Sequence, residues 1–169
     1  MKIILAALVA FSAPAFAAGP ALNDAQIAHI AYTAGVLDIG AAEQAIAKSA
    51  DPQVKAFAET MLRDHRAVNE QALALVGRLG VTPEDNATSK ALSGAAAETH
   101  ARLARLEGPA FDEAYVANEV AFHATVNDAL RSTLIPAASN AELRKLLESG
   151  HALFSQHQQH AEHLAAGTP

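Results

Sequence analysis

Residues 51–79, DPQVKAFAETMLRDHRAVNEQALALVGRL, open on an Asp-Pro pair and end just before Gly80. Their apolar positions, Val54, Ala58, Met61, Val68, Ala72, Leu75 and Leu79, alternate in steps of four and three. That is the buried stripe of a helix in a bundle. One position on the stripe is polar: His65 falls between Met61 and Val68, in the middle of the face that a bundle buries most deeply. The stretch therefore decides the fold class and raises a question for the rest of the chain, whether other helices bring polar groups to the same depth.

The chain has 169 residues, which suits one domain with a sizeable core. Hydrophobic residues make up 51% and are dominated by Ala and Leu, while aromatics are only 5%, a balance that favours helices over strands. An all-α fold follows. Met1 to Ala17 combines one lysine, an apolar run and the small-x-small site Ala15-Phe16-Ala17, the pattern of a secretory signal peptide. Residues 18–22 then read as a short linker and 23–166 as the helical bundle domain. No later segment has enough consecutive apolar residues to cross a bilayer. The absence of cysteine excludes disulfides, covalently attached haem and a lipid anchor on a processed Cys. The mature protein is expected to be exported, soluble and periplasmic. Loss of Lys2 with the signal takes the net charge from −6 to −7. An acidic surface without a dense Lys/Arg cluster disfavours nucleic acid and anionic lipid as partners.

The first helix opens at Leu22-Asn23-Asp24-Ala25-Gln26-Ile27, where Asn23 caps, Gln26 completes a capping box and Leu22 staples onto Ile27. Its stripe runs Ile27, Ala31, Ala34, Asp38, Ala41, Ala45, and again one position is polar, Asp38. Ala50-Asp51-Pro52 ends this helix and starts the next, with Asp51 as N-cap, and so short a connection makes the pair antiparallel. After a loop at Val81 to Asn86, a weaker helical segment from about Thr88 to Glu107 is long enough, at about 1.5 Å per residue, to cross back along the bundle. Gly108-Pro109 stops it, and Ala110 to Leu134 forms the fourth segment. One stripe there is Val116, Glu119, His123, Val126, Leu130, Thr133. A rival through Phe111, Tyr115, Phe122 and Ala129 is more apolar and would turn Glu119 and His123 sideways. Pro136 breaks that helix, and Ser139-Asn140-Ala141-Glu142 reads as the capping box of the last one, whose stripe is Leu143, Leu147, Gly150, Phe154, His157, Ala161, Leu164. Here the polar member is His157.

If the crossover returns the chain to the end where helices one and two are joined, heights count from that end. His65, Asp38 and His123 then lie 13, 12 and 13 residues in, and Glu119 and His157 nine. At about 1.5 Å per residue the five share a layer roughly 6 Å thick. Buried charges are costly unless paired or bound to a metal. Imidazoles with carboxylates and no thiolate form a ligand set for zinc, iron, manganese or copper. The alternative is a metal-free polar layer that fixes bundle register in a non-catalytic structural or interaction module. Asp64 cannot share the face of His65 and is expected to point outward or pair with Arg63 or Arg66. Asp112 and Tyr115 suggest a cap and a buried hydroxyl. The dense C-terminal histidines His151, His157, His160 and His163 include neighbours spaced to chelate at the surface or to form a solvated face. No serine sits in a nucleophile elbow and no Cys exists, so nothing indicates a hydrolase.

Phe57-Ala58-Glu59-Thr60-Met61-Leu62-Arg63-Asp64-His65, then Gly108-Pro109-Ala110-Phe111-Asp112-Glu113-Ala114-Tyr115 with His123, and His157 followed by Ala161, resemble the domain of unknown function 4142 family. Its members are exported bacterial proteins, often labelled outer-membrane proteins and assigned a ferritin-like helical bundle. The resemblance runs from about Asp24 to Leu164. Asp64, His65, Asp112, Tyr115, His123 and His157 match its pattern, whereas Asp38 stands where the family usually has Glu. It implies a ferritin-like four-helix bundle with an additional crossover helix, and no settled activity. Ferritin-like di-iron proteins carry Glu-x-x-His on two helices. This chain has Leu62-x-x-His65 and Phe154-x-x-His157, which argues against a ferroxidase-type centre and leaves a mononuclear His-rich site. The expectation is one transition metal held by His65, His123 and His157, with Asp38 and Glu119 as ligands or supporting partners, in metal handling or stress protection.

Overall fold

Asp51 and Pro52 start the central helix as their chemistry dictates. The Asp51 carboxylate accepts from the backbone N–H groups of Gln53 and Val54 at 2.7 and 3.4 Å, and Pro52 takes the first helical position, where a missing N–H costs nothing. Gly80 ends that helix in the left-handed conformation, φ 64°. The computed structural model describes residues 21–167, so the signal peptide and most of the linker lie outside the described residues. In order, the elements are α1 (Asp24–Lys48), α2 (Pro52–Leu79), α3 (Ala87–Leu103), α4 (Gly108–Ala129), a π-turn at Leu130–Leu134, a single turn α5 (Ile135–Ala137) and α6 (Ala141–Gly167). The described residues form an all-α bundle with no strand.

Side-chain pairings fix the topology. Phe57 meets Tyr115 and His65 meets His123, one offset along both helices, so α2 and α4 run parallel. Asp64 meets His157 while Arg78 meets Glu142, so α2 and α6 are antiparallel. Asp38 lies by His123 and Lys48 by Phe111, so α1 and α4 are antiparallel as well. The crossover α3 lies along α1 in the same direction, with Asn86 bonded to the Gln26 carbonyl at one end and the Lys48 ammonium to the Ala104 carbonyl at the other. It returns the chain to the α1–α2 junction before α4 begins.

Several boundaries differ from the sequence reading. Gly108, at φ 57°, and Pro109 open α4 instead of merely stopping α3, which ends at Leu103. Asp112 therefore sits in the second turn of α4 and caps nothing; Glu107 holds the N-cap position without a side-chain bond. Pro136 does not break the helix where it stands. A π-turn ahead of it absorbs the missing donor, with the Ile135 N–H reaching back to Leu130, and helical backbone continues to Ala137. The last helix is capped by Asn140, whose side-chain oxygen accepts from Glu142 and Leu143 N–H at 2.9 and 3.0 Å, and not by Ser139. Ser139 is instead held by Asp24 of α1, at 2.8 Å through its N–H and 2.5 Å through its hydroxyl.

The apolar interior falls into two clusters. One, around Phe57, Met61, Phe111, Tyr115 and Leu164, fills the end where α1 meets α2. The other, around Ile27, Ile30, Leu75, Leu130, Leu147 and Phe154, fills the opposite end. Between them lies a layer of buried polar side chains.

Candidate metal centre

Each bundle helix delivers its polar group by the same rule: the residue occupies a core position of the repeat, so packing of its apolar neighbours carries it inward. Asp38 on α1, His65 on α2, Glu119 and His123 on α4 and His157 on α6 are all buried, Glu119 and His123 completely. The rival stripe on α4 is only partly realised. Phe111, Tyr115 and Ala129 are buried, but Phe122 is half-exposed, and Glu119 and His123 face inward after all. The five residues expected to converge do so. One ring nitrogen from each of His65, His123 and His157 lies within 4.8 Å of the others, and ligand atoms of Asp38, Glu119 and His123 form a second such group that shares His123.

Hydrogen bonds sort the protons. His123 donates through Nδ1 to the Glu119 carbonyl at 3.0 Å, which leaves its Nε2 as a bare lone pair. That Nε2 lies 3.4 Å from Nε2 of His65 and 3.7 Å from Asp38 Oδ2. His157 donates through Nε2 to Asp64 Oδ2 at 3.0 Å, leaving its buried Nδ1 free to accept. A backbone carbonyl and a carboxylate thus lock two imidazoles from outside, the arrangement that orients histidines around metals. Both Asp38 oxygens, Glu119 Oε2, His65 Nδ1 and His157 Nδ1 are buried and meet no N–H donor among the described residues, while a proton on the Glu119 carboxyl bonds it to Asp38. Beyond that one shared proton, so many buried acceptors without N–H donors in one layer are expensive as they stand.

Electrostatics agree with the bonding. Burial lowers His65 to about 4, against the pull of Asp64. Burial also lowers His123 to about 4, with His65 and His157 opposing its charge and Asp38 favouring it. Both are neutral near pH 7, the form that binds metal. Burial, and then the charge of Asp38, push the Glu119 carboxyl well above its ordinary range. Burial raises Asp38 too, opposed first by His123. Two enclosed carboxyls this close do not ionise together without a cation.

Asp64 was expected outside the layer, on Arg63 or Arg66. It does accept from Arg63 Nε at 2.8 Å, but its second oxygen turns into the α2–α6 seam to hold His157, and Arg66 pairs with Glu43. Burial would raise its carboxyl, but the bonds from Arg63 and His157 hold it below the ordinary range. Tyr115 is fully buried, its hydroxyl without a hydrogen-bond partner among the described residues. Of the C-terminal histidines only His157 joins the layer. His160 stands edge-on to Phe57 at 5.0 Å, and His163 is exposed.

The donor set therefore fits a transition metal: neutral imidazole nitrogens, one or two carboxylates, no thiolate, and supporting bonds already made. Among comparisons with known proteins, a family model described as Domain of unknown function (DUF4142) matches residues 10–164. No curated protein and no solved structure matches the chain.

Proposed function

The chain belongs to the DUF4142 family, whose description carries no activity, and from the core layer itself we propose that it is an exported, periplasmic metal-binding bundle. It holds one transition-metal ion through His65, His123 and His157, with Asp38 and Glu119 supplying carboxylate oxygen or supporting it. The observation that carries this reading is the convergence of three buried imidazoles and two buried carboxyls whose free nitrogens and oxygens meet no N–H donor among the described residues. A cation would satisfy them together and would let Asp38 and Glu119 share the enclosed layer. Metal handling or protection against metal stress is the role such a site supports. A bound ion would supply positive charge and Lewis acidity. The residues of the chain orient the imidazoles and exclude water, and none is placed as a nucleophile.

The test is metal content by mass spectrometry on protein purified from periplasm without an affinity tag, together with His65→Ala and His123→Ala. Near-stoichiometric metal, lost in both variants, is expected and would name the element. Metal retained by both would move the site to the C-terminal histidines. None in the wild type, even after reconstitution, would leave the layer as a metal-free register device in an interaction module.

A further inference from the structure

The apolar end of the bundle that holds Ile30, Leu130 and Leu147 is not completely filled. A cavity of about 50 Å³ lies there, bounded by α1, α2, α4 and α6 with Leu92 of α3, where roughly 10–15 Å³ is room for one water. Space alone does not hold water, which also needs polar partners. The wall offers almost none. Its one polar side chain is Thr125, whose hydroxyl already donates to the Ala121 carbonyl at 2.9 Å, and the backbone around it is helical. Small residues keep the space open: Ala31 and Ala34 on α1, Ala72 on α2, Ala129 at the end of α4 and Gly150 on α6. Glycine inside a helix is unfavourable against alanine, and no close approach demands one at position 150. A Cβ there would meet only Phe154, with Cε2 at 3.5 Å, an ordinary contact. Phe154 is also the partition between cavity and polar layer: it lines the cavity, stacks on the His65 ring at 4.6 Å and stands edge-on to His123 at 6.3 Å.

We propose that this cavity binds one small apolar molecule and that the molecule is dioxygen. The chemistry of the wall selects the class: with no charge and no free donor it rejects ions and water and accepts a neutral, apolar guest. Size selects within the class. An engineered apolar cavity of roughly 150 Å³ takes benzene or xenon, and this one, at about 50 Å³, has room for a diatomic gas. Of the gases abundant in air, dioxygen is the one that transition-metal ions bind, and only the Phe154 ring separates the guest from the imidazoles of His65 and His123. That last choice rests on the layer holding a metal; the capacity for an apolar guest does not.

The test is nuclear magnetic relaxation of methyl protons under dissolved dioxygen, a paramagnet, against a dinitrogen-saturated reference, in the full mature chain stripped of metal. Methyls of Ala34, Leu130 and Leu147, which line the cavity, should gain several times more relaxation than those of Ala45, Ala58 and Leu103, buried in the other core. Ala129→Leu, which fills the cavity, should abolish the excess, and Gly150→Ala should reduce it. Should Ala129→Leu fail to fold by circular dichroism, Gly150→Ala, whose added methyl makes only ordinary contact, decides alone. Cavity methyls that relax no faster than the reference methyls overturn the proposal, as does an excess unchanged in the variants. Nuclear Overhauser contact between these methyls and water also overturns it and makes the space a water site. Metal in the layer without excess relaxation removes the gas site and leaves the metal reading intact. Excess relaxation in a protein whose layer takes up no metal keeps a cavity for an apolar guest and overturns dioxygen as its working ligand.

Discussion

Asp64 divides its two oxygens between the solvent side and the core, one on Arg63 and one on His157. Sequence alone does not expose the second role. Adjacent residues on a helix point about 100° apart, so a neighbour of His65 reads as turned away from the core. In a bundle of four, however, that direction is the seam with the next helix, and only the packing of α6 against α2 shows what waits there. His65, Asp38 and His157 were legible because each interrupts an apolar stripe, and a stripe reports depth directly. Asp112 was not: it is buried in the second turn of α4, with Oδ1 free of hydrogen bonds, where a capping role was expected. The role of Asp64 has a measurable consequence. Asp64→Asn removes the anionic acceptor that fixes His157 while keeping the shape of the side chain. Affinity for the ion, measured by competition with a chelating indicator, should fall about 10- to 100-fold with helix content unchanged, the usual cost of losing a partner behind a metal ligand.

At the level of elements, caps with local signatures were readable and caps made across the fold were not. Asn23 and Gln26 form the expected capping box at the start of α1. Ser139-x-x-Glu142 has the same local form, yet Asp24 takes Ser139 from 115 residues away and the cap passes to Asn140. The Asp24 carboxylate is thus a clasp between the start of α1 and the start of α6. Burial would raise it, but the bonds from Ser139 and Asn140 hold it below the ordinary 3.8. Asp24→Ala should cost about 1–2 kcal/mol in chemical denaturation at pH 7, a hydrogen-bonded charge at a partly exposed site. Because the folded carboxyl binds its proton less readily than the unfolded one, its stabilisation is present above 3.8 and lost as pH falls through the lower folded value. The gap between wild type and variant should therefore close on acidification. The π-turn at Leu130–Leu134 was equally hidden, since proline usually marks an end and the device that carries helical backbone past Pro136 has no strong sequence signature.

For the whole molecule, the level of the polar layer could be counted from the sequence because helix rise is constant and the crossover sets the direction of α4. The choice of neighbours could not: that α2 faces α4 across the bundle and lies beside α6 depends on which faces fit once all are assembled. That arrangement leaves two apolar cores, one at each end, with a layer of buried carboxyls and imidazoles between them. Each core spans all four long helices, so each has the makings of a separate cooperative unit, and the layer between them is the weakest place to join. With metal removed by chelator, calorimetric unfolding should be broad, its van't Hoff enthalpy clearly below the calorimetric one. With metal restored the two should converge as the melting temperature rises, because an ion that binds only the folded state stabilises it by mass action and does so at the junction. A ratio near one in both states would argue against this division. Seen in this way, the buried layer sets how many pieces the protein comes apart in. Metal scarcity would then be felt as a loss of wholeness, a bundle that opens one end at a time and offers that open end to proteases, while its resting shape stays the same.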